Sequence, residues 1–328
     1  MKHVTILVPY EAVLASIDDP RYLFTEVNEF LAAAGKPPLF KVQLVGMSRE
    51  VRLHKGSFTV HTDALLEEVK NTDLIFVPAL KGDMKQVLEL NRAFIPWIKQ
   101  QYNKGAEVAS LCVGAFLLAS TGLLSGQKCS THWLFADEFR TMFPDVTLTD
   151  DKIITEGQGI YTSGGANSYW NLLLYLVEKY AGRDIAILSS KVFQMDLDRH
   201  SQSPFILFKG QKKHEDEPVK QAQEFIEHNF QEKISVEDLA CKFAIGRRNF
   251  ERRFKKATNN TPVEYIQRVK IEAAKKQLEA GRKNVNEVMY DVGYSDTKAF
   301  RSVFKKITGL SPVEYRNKYN AARAVPST

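Results

Sequence analysis

Side chains able to do chemistry gather in two places along this chain of 328 residues. In the last third, Arg247, Arg248, Arg252 and Lys255, with Glu251 among them, follow a turn-like Ala244-Ile245-Gly246. Thr297, Lys298, Arg301, Ser302 and Lys305 follow a second such turn at Gly293. Arg and Lys reach guanine O6 and N7, and Ser and Thr hydroxyls suit several base edges. In the first half, Cys112 sits between a strand-like run, 107–111, and a small-residue helix start at Val113, Gly114 and Ala115. His132 follows twenty residues later. A thiol on a sharp turn at a helix start is a candidate nucleophile or ligand contact, because a helix N-terminus favours the thiolate.

The elements that must hold the basic residues are written twice. Residues 250–265, FERRFKKATNNTPVEY, and 300–315, FRSVFKKITGLSPVEY, share nine of sixteen positions at an offset of 50. Upstream the match continues at 49, Leu239-Ala240 with Val288-Met289 and Ala244-Ile245 with Gly293-Tyr294. Two copies are too few for a solenoid. In the first copy Ser235 caps a helix whose apolar face is Val236, Leu239, Ala240 and Phe243. After the turn, Phe250 and Phe254 point inward, which at 100° per residue leaves Arg248, Arg252 and Lys255 outward. In the second copy Phe300 and Phe304 point inward, Lys298, Ser302 and Lys305 outward, and Arg301 lies on the flank. Short helix, tight turn and second helix make a helix-turn-helix, whose second helix fits the major groove. Thr261-Pro262-Val263-Glu264 and Ser311-Pro312-Val313-Glu314 are capping boxes with Pro at N1. A helix from Pro262 to Ala280, stopped by Gly281 and roughly 28 Å long, could hold two recognition helices about one DNA turn apart.

Charge follows the repeat. Residues 218–328 carry 22 Lys and Arg against 13 Asp and Glu, while 1–217 carry 23 against 26. A cationic half of this kind suits double-stranded DNA, and the acidic half suits neither nucleic acid nor a membrane surface. That first half alternates strand-like runs at 4–8, 40–45, 74–77 and 107–111 with helical stretches at 22–34, 84–102 and 115–120. The expected class is α/β, a flavodoxin-like parallel sheet with helices on both faces, followed by an all-α domain of two helix-turn-helix units. A hairpin is expected at 146–149 with 152–155, broken by Asp150-Asp151, then an apolar helix over 166–180. KGQKKHEDEP, 209–218, reads as a linker between domains 1–208 and 219–320, and AARAVPST, 321–328, as a frayed end.

Cys112, Cys129 and Cys241 are too few and scattered for a disulfide framework, and Cys129 and Cys241 read as small buried apolar residues. His3, His54, His61, His200, His214 and His228 show no metal spacing, so neither metal nor other cofactor is expected. Trp97, Trp133, Trp170, Phe116 and Phe135 read as core. No apolar run is long enough to span a bilayer and no leader is evident, so a soluble cytoplasmic protein is expected.

Over 221–319 the chain resembles the AraC/XylS family of bacterial transcription regulators. The resemblance rests on LACKFAIGRRNFERRFKK, the linking helix and VMYDVGYSDTKAFRSVFKKITGLSPVEYR. It implies that Arg248, Glu251 and Arg252 in the first unit, and Thr297, Lys298 and Arg301 in the second, face bases. Residues 3–192 resemble the DJ-1/PfpI superfamily, within the class I glutamine-amidotransferase-like fold. There the match rests on Cys112 in C-x-G-A, His132 before Trp133, 74–78 before a turn, and Thr162-Ser163-Gly164-Gly165 before a helix. It implies a ligand pocket lined by Cys112, Val113, Gly114, His132, Ser163 and Gly164, and effectors such as amino acids or quaternary amines, for which an aromatic cage is one solution.

Enzymes of that superfamily carry an acidic residue after the first strand. The matching position here is Ser16, with Glu11, Asp18 and Asp19 as substitutes, and Asn171 stands where many related regulators have Asp. Three uses of Cys112 stay open: a small-molecule pocket, a cysteine-dependent hydrolase or glyoxalase-like enzyme or redox sensor, and an inert turn kept for its geometry. The expectation carried forward is a non-catalytic sensor for a small-molecule effector, able to form a homodimer through the first domain and joined to a DNA-binding half. Arg248/Lys298 stay basic between copies whereas Glu251/Arg301 and Arg252/Ser302 do not, which implies two unlike half-sites in fixed order.

Overall fold

The computed structural model describes residues 1–197, 199, 201–212 and 214–320. His200 and the tail 321–328 lie outside them. The chain divides into two compact units, Met1–Gln202 and Ser203–Thr328.

In chain order the first unit runs β1 (Lys2–Val8), α1 (Ala15–Ala33), β2 (Phe40–Gly46), β3 (Glu50–Leu53), β4 (Phe58–His61), β5 (Ala64–Leu65), β6 (Leu74–Val77), α2 (Met84–Leu90), α3 (Phe94–Asn103), β7 (Glu107–Ser110) and α4 (Ala115–Ser120). It continues through β8 (Lys128–Cys129), α5 (Ala136–Met142), β9 (Thr147–Leu148), β10 (Ile154–Gly157), β11 (Ile160–Ser163), α6 (Tyr169–Ala181) and α7 (Arg183–Val192). One seven-stranded sheet has the order β10-β11-β7-β6-β1-β2-β5, parallel throughout except for the β10–β11 pair. β6 is buried along its whole length, as befits a parallel strand covered on both faces. Helices α1, α6 and α7 pack together, as do α2, α3 and α4, and the two groups flank the sheet. The order β2-β1-β6-β7-β11 reverses direction beside β1, so the loops after β1, β6 and β7 gather at one sheet edge, where open α/β folds bind ligands.

Three expectations change. The helix expected over 84–102 is two helices, because Pro96 cannot sit mid-helix but is accepted in the first turn of α3. Between them buried Asn91 spends its amide on Tyr10 O and Val87 O. The hairpin expected at 146–155 does not form. β9 pairs in parallel with β8, and the real hairpin is β10–β11, turned through Gln158 (φ 52°) and Gly159 (φ 75°). The helix expected from 22 begins at Ala15 and carries Pro20 within it.

The second unit is helical: α8 (Glu217–His228), α9 (Val236–Lys242), α10 (Arg247–Thr258), α11 (Pro262–Ala280), α12 (Val285–Asp291), α13 (Thr297–Thr308) and α14 (Pro312–Tyr319). It has two cores. Val219, Ile226, Leu239, Phe250, Phe254 and Tyr265 form the first, and Ile271, Leu278, Val288, Met289, Phe300, Phe304 and Tyr315 the second. α11 therefore walls both, with its first half in one and its second half in the other. The stretch 209–218 belongs to this unit, and two of its charges are held. Lys212 pairs with Glu227 at 2.6 Å, and Asp216 caps α8 and takes a bidentate Arg253 at 2.7 and 2.8 Å. Just before it, Ile206 O accepts from Lys275 Nζ, Phe208 N–H donates to Glu272, and the Phe208 ring meets Tyr265 edge-on. Residues 203–212 thus form a strap on α11 rather than a free tether. Among the described residues no helix is long and apolar enough to cross a membrane.

Candidate nucleic-acid interface and sensor elbow

The two helix-turn-helix units are built by the same local bonds. Ser235 with Asp238, and Asn284 with Glu287, form capping boxes at α9 and α12. In the turns, Phe243 N–H donates to Leu239 O, Ala244 N–H to Cys241 O and Ile245 N–H to Ala240 O. Val292, Gly293 and Tyr294 repeat this on Val288, Tyr290 and Met289. Ala244 takes φ 52° where Gly293 takes 75°, so an L-residue adopts the left-handed turn that a glycine adopts in the other copy. At the ends of α10 and α13, the Thr258 and Thr308 hydroxyls each donate to a carbonyl one turn back, Phe254 O and Phe304 O, both at 2.8 Å. The Thr261–Glu264 and Ser311–Glu314 boxes then start the next helices. Backbone donors at those caps hold both carboxyls below the usual carboxylate range.

With Phe250, Phe254, Phe300 and Phe304 buried, the opposite faces are exposed: Arg247, Arg248, Arg252 and Lys255 on α10, and Thr297, Lys298, Arg301, Ser302 and Lys305 on α13. Their partners separate them. Arg248, Lys298, Arg301 and Lys305 bond to no described residue. Arg247 bridges Glu237 and Glu251, Arg252 donates to Asn249, and Lys255 donates to Asn259 O. Glu251 is half-buried and engaged by Arg247, so in this structure its carboxylate serves the helix surface. Arg253, which the sequence reading passed over, anchors Asp216 from the flank of α10.

In the first unit Cys112 closes β7 at φ 55°, a strained backbone for a non-glycine residue. Its N–H donates to Ser163 Oγ (3.1 Å) and its carbonyl accepts from Thr131 Oγ1 (3.0 Å). A Cβ on Gly114 would lie 2.5 Å from the carbonyl oxygens of both Val77 and Pro78, so glycine there allows the elbow to press on the end of β6. Backbone N–H groups of Val113 and Ala166 face the sulfur and favour the thiolate. Burial outweighs them and pushes the thiol up to about 11. The accessible, acidified thiol expected from the helix start is therefore not what the fold makes. Cys129 is buried too, its thiol pushed up to about 12, whereas Cys241 is exposed, contrary to expectation.

His132 is half-buried, and burial holds its imidazole below the ordinary value. Nδ1 accepts from Leu134 N–H, which places the proton of the neutral ring on Nε2. No hydrogen bond joins it to Cys112 Sγ. Ser16, at the position of the family acid, is fully buried and bonds main chain only, donating to Val13 O and accepting from Ala79 N–H. The Asp19 carboxylate accepts from Tyr169 OH and Trp170 Nε1 (2.5 and 2.9 Å), with its pKa raised by burial. Asn171 donates to Asp196 O.

The side chain that closes the elbow was not anticipated. Gln202 accepts from Gly165 N–H and donates to Thr131 O and Lys152 O at 3.0 and 3.2 Å, packing against Gly164. A Cβ on Gly165 would lie 2.4 Å from His132 Cδ2, so the ring lies on that backbone. Nothing local marks Gln202. By contrast, Tyr169-Trp170, one short turn beyond Gly164-Gly165, was a readable sign that aromatic donors meet there.

This titration has a measurable consequence. With maleimide at pH 7, Cys241 should react promptly and Cys112 slowly, and the Cys112 rate should climb with pH up to about 11. Fast Cys112 labelling at pH 7, read by peptide mass spectrometry, would contradict the buried neutral thiol.

An amidase-like α/β unit with a closed cysteine elbow, followed by two matched helix-turn-helix units, defines a two-part DNA-binding regulator. A helix-turn-helix domain model matches residues 239–318, and a DJ-1/PfpI family model matches 24–179. The chain is 26% identical over 232 residues to the HTH-type transcriptional regulator ArgR of Pseudomonas aeruginosa, covering 70% of each. It is 24% identical over 265 residues to the HTH-type transcriptional regulator GbdR of the same species, covering 77% of this chain and 68% of that one. A crystal structure from Vibrio parahaemolyticus, described as a transcriptional regulator protein, superimposes with TM-score 0.52 at 25% identity over 58% of this chain and 98% of that one. Residues 24–179 thus carry a DJ-1/PfpI domain and residues 239–318 a helix-turn-helix domain, and the relatives that span both are HTH-type transcriptional regulators.

Proposed function

We propose that the protein regulates transcription by gripping two successive major grooves with α10 and α13, and that its first unit binds a small polar effector without turning it over. The carrying observation is that Arg248, Lys298 and Arg301 are exposed and unbonded on the outward surfaces of α10 and α13, while Arg247, Arg252 and Lys255 are already engaged. Donors left free at the surface are available to base edges and phosphates. The non-catalytic reading is supported by a neutral thiol, by a His132 whose Nδ1 is spent on a backbone N–H, and by a serine that bonds main chain at the acid position. A nucleophile needs a base oriented by a third group, and these residues do not provide that arrangement.

The effector pocket in this reading comprises Cys112, Val113, Gly114, His132, Ser163 and Gly164, with Gln202 as its cover. Effector that takes over the bonds of Gln202 acts on the residue directly preceding the strap, and the ligand shifts the population of DNA-binding forms. The protein works in the cytoplasm, where its DNA is, and pairs with a second copy through its first unit. A thermal-shift screen of metabolites on the full chain tests the sensor. A hit at about 100 times its Kd should stabilise by about 2.7 kcal/mol, persist in Cys112→Ser, and return unchanged by chromatography. A compound consumed by the wild type and spared by Cys112→Ser would overturn the non-catalytic reading in favour of the enzyme.

A further inference from the structure

Lys270 lies on α11 between the residues that wall the two cores, and only 7% of it is exposed. Its Nζ donates to two backbone carbonyls at 3.2 Å: Glu232 O, in the loop after α8, and Gly293 O, in the turn of the second helix-turn-helix. It also sits 5.5 Å over the Tyr294 ring. Burial lowers its pKa, and the two carbonyls are the compensation for a desolvated ammonium. The loop it holds presses on the same turn. A Cβ on Gly293 would come within 2.1 Å of Gln231 O and 2.7 Å of Lys270 Nζ, and Phe230 from that loop packs against the second core. The first helix-turn-helix has no matching bond: the Gly293 carbonyl takes the Lys270 ammonium, whereas the Ala244 carbonyl takes no side-chain donor among the described residues. This contact explains why one copy requires glycine and the other accepts alanine.

We infer that Lys270, with Phe230, Gln231 and Gly293, locks the two helix-turn-helix units at one separation and one phase, making Lys270 a positioning residue through which the protein reads the spacing of its half-sites. α11 joins the two units by packing its first half into one core and its second half into the other, so any bending of that helix moves the second unit against the first. The ammonium ties that unit's turn to a loop of the first, across the helix. One added base pair moves a half-site by about 3.4 Å and rotates it by roughly a tenth of a turn, and a locked pair of helices cannot follow. This rests on the DNA-binding reading, but its first test needs no DNA.

In full-length Cys241→Ser protein, spin labels on Lys256→Cys and Lys306→Cys report the distance between corresponding points of α10 and α13. The native lysine should give one narrow distance distribution, Lys270→Met a broadened or shifted one, and Lys270→Arg, which keeps the donors, a narrow one again. Gly293→Ala, which drives a methyl into Gln231 O, should broaden it from the other side of the seam and serves if Lys270→Met fails to fold. In the second arm, duplex DNA selected from a random pool by the full chain is lengthened by one base pair between half-sites. That insertion should weaken the wild type roughly tenfold or more and folded Lys270→Met by less than about threefold. Identical distance distributions for wild type, Lys270→Met and Gly293→Ala would overturn the lock. Equal insertion penalties in wild type and Lys270→Met would overturn its role in reading spacing. Failure to select any DNA sinks the DNA-binding reading and leaves the distance result standing.

Discussion

Replacing Arg248 and Arg301 together by Ala should cost about 2–6 kcal/mol of site-specific DNA binding, since each bidentate base contact is worth about 1–3 kcal/mol. Fluorescence anisotropy on selected DNA against scrambled DNA reads this as a collapse of the specificity ratio. The two arginines, one on each of α10 and α13, are exposed and have no bond to give up, so the loss is not repaid by relief of an internal pair. Lys305→Ala should behave differently, weakening all sequences alike and reducing the salt slope by about one. Arg247→Ala should do least for specificity, because that guanidinium already bridges Glu237 and Glu251. An unchanged specificity ratio in the double variant would remove α10 and α13 as the reading helices.

Phe304→Ala should destabilise the second unit by about 3–5 kcal/mol, the range for deleting a buried aromatic ring. Phe304 is fully buried between Phe300, tilted against it, and Tyr315, which it meets edge-on, with ring centroids 5.7 and 5.5 Å away. Phe254 has the same neighbours in the first core, Phe250 and Tyr265 at 5.6 and 5.3 Å, so Phe254→Ala should cost a similar amount. The distinguishing measurement is hydrogen exchange. Because the cores are separate, Phe304→Ala should expose amides of α12 to α14 and the second half of α11 while α8 to α10 keep most of their protection. Uniform loss across the whole unit would show instead that the cores open as one.

What could be read from sequence were features whose cause is local. The turns, capping boxes and inward phenylalanines of the repeat depend on residues within a few positions of one another, and they stand where the spacing put them. The same holds for the elbow, where strand, Cys112 and small-residue helix start are contiguous. Features decided by distant partners were not legible. The 209–218 stretch looks unstructured by composition, yet Asp216 meets Arg253, 37 residues away, and Lys212 meets Glu227. The thiol pKa was misjudged for a reason of magnitude. A helix terminus contributes about 0.3–1 kcal/mol, while a rise from 9.0 to about 11 corresponds to roughly 3 kcal/mol, and burial, which the sequence does not reveal at one residue, supplies it. Gln202 was invisible because nothing near it in the chain needs a carboxamide. Its partners are Thr131, Lys152 and Gly165.

The strap on α11 bears on ancestry and engineering. A segment that lends a carbonyl to buried Lys275, an amide to Glu272 and a ring to Tyr265 is part of the DNA-binding fold even though it precedes the first helix. The natural seam for recombination is therefore at Gln202/Ser203, and a graft of this reading half onto another sensor has to carry the strap with it. A chimera cut at 218 would discard a wall of its own core, strip Lys275 of a carbonyl, and be blamed for a poor sensor when the fault lay at the splice.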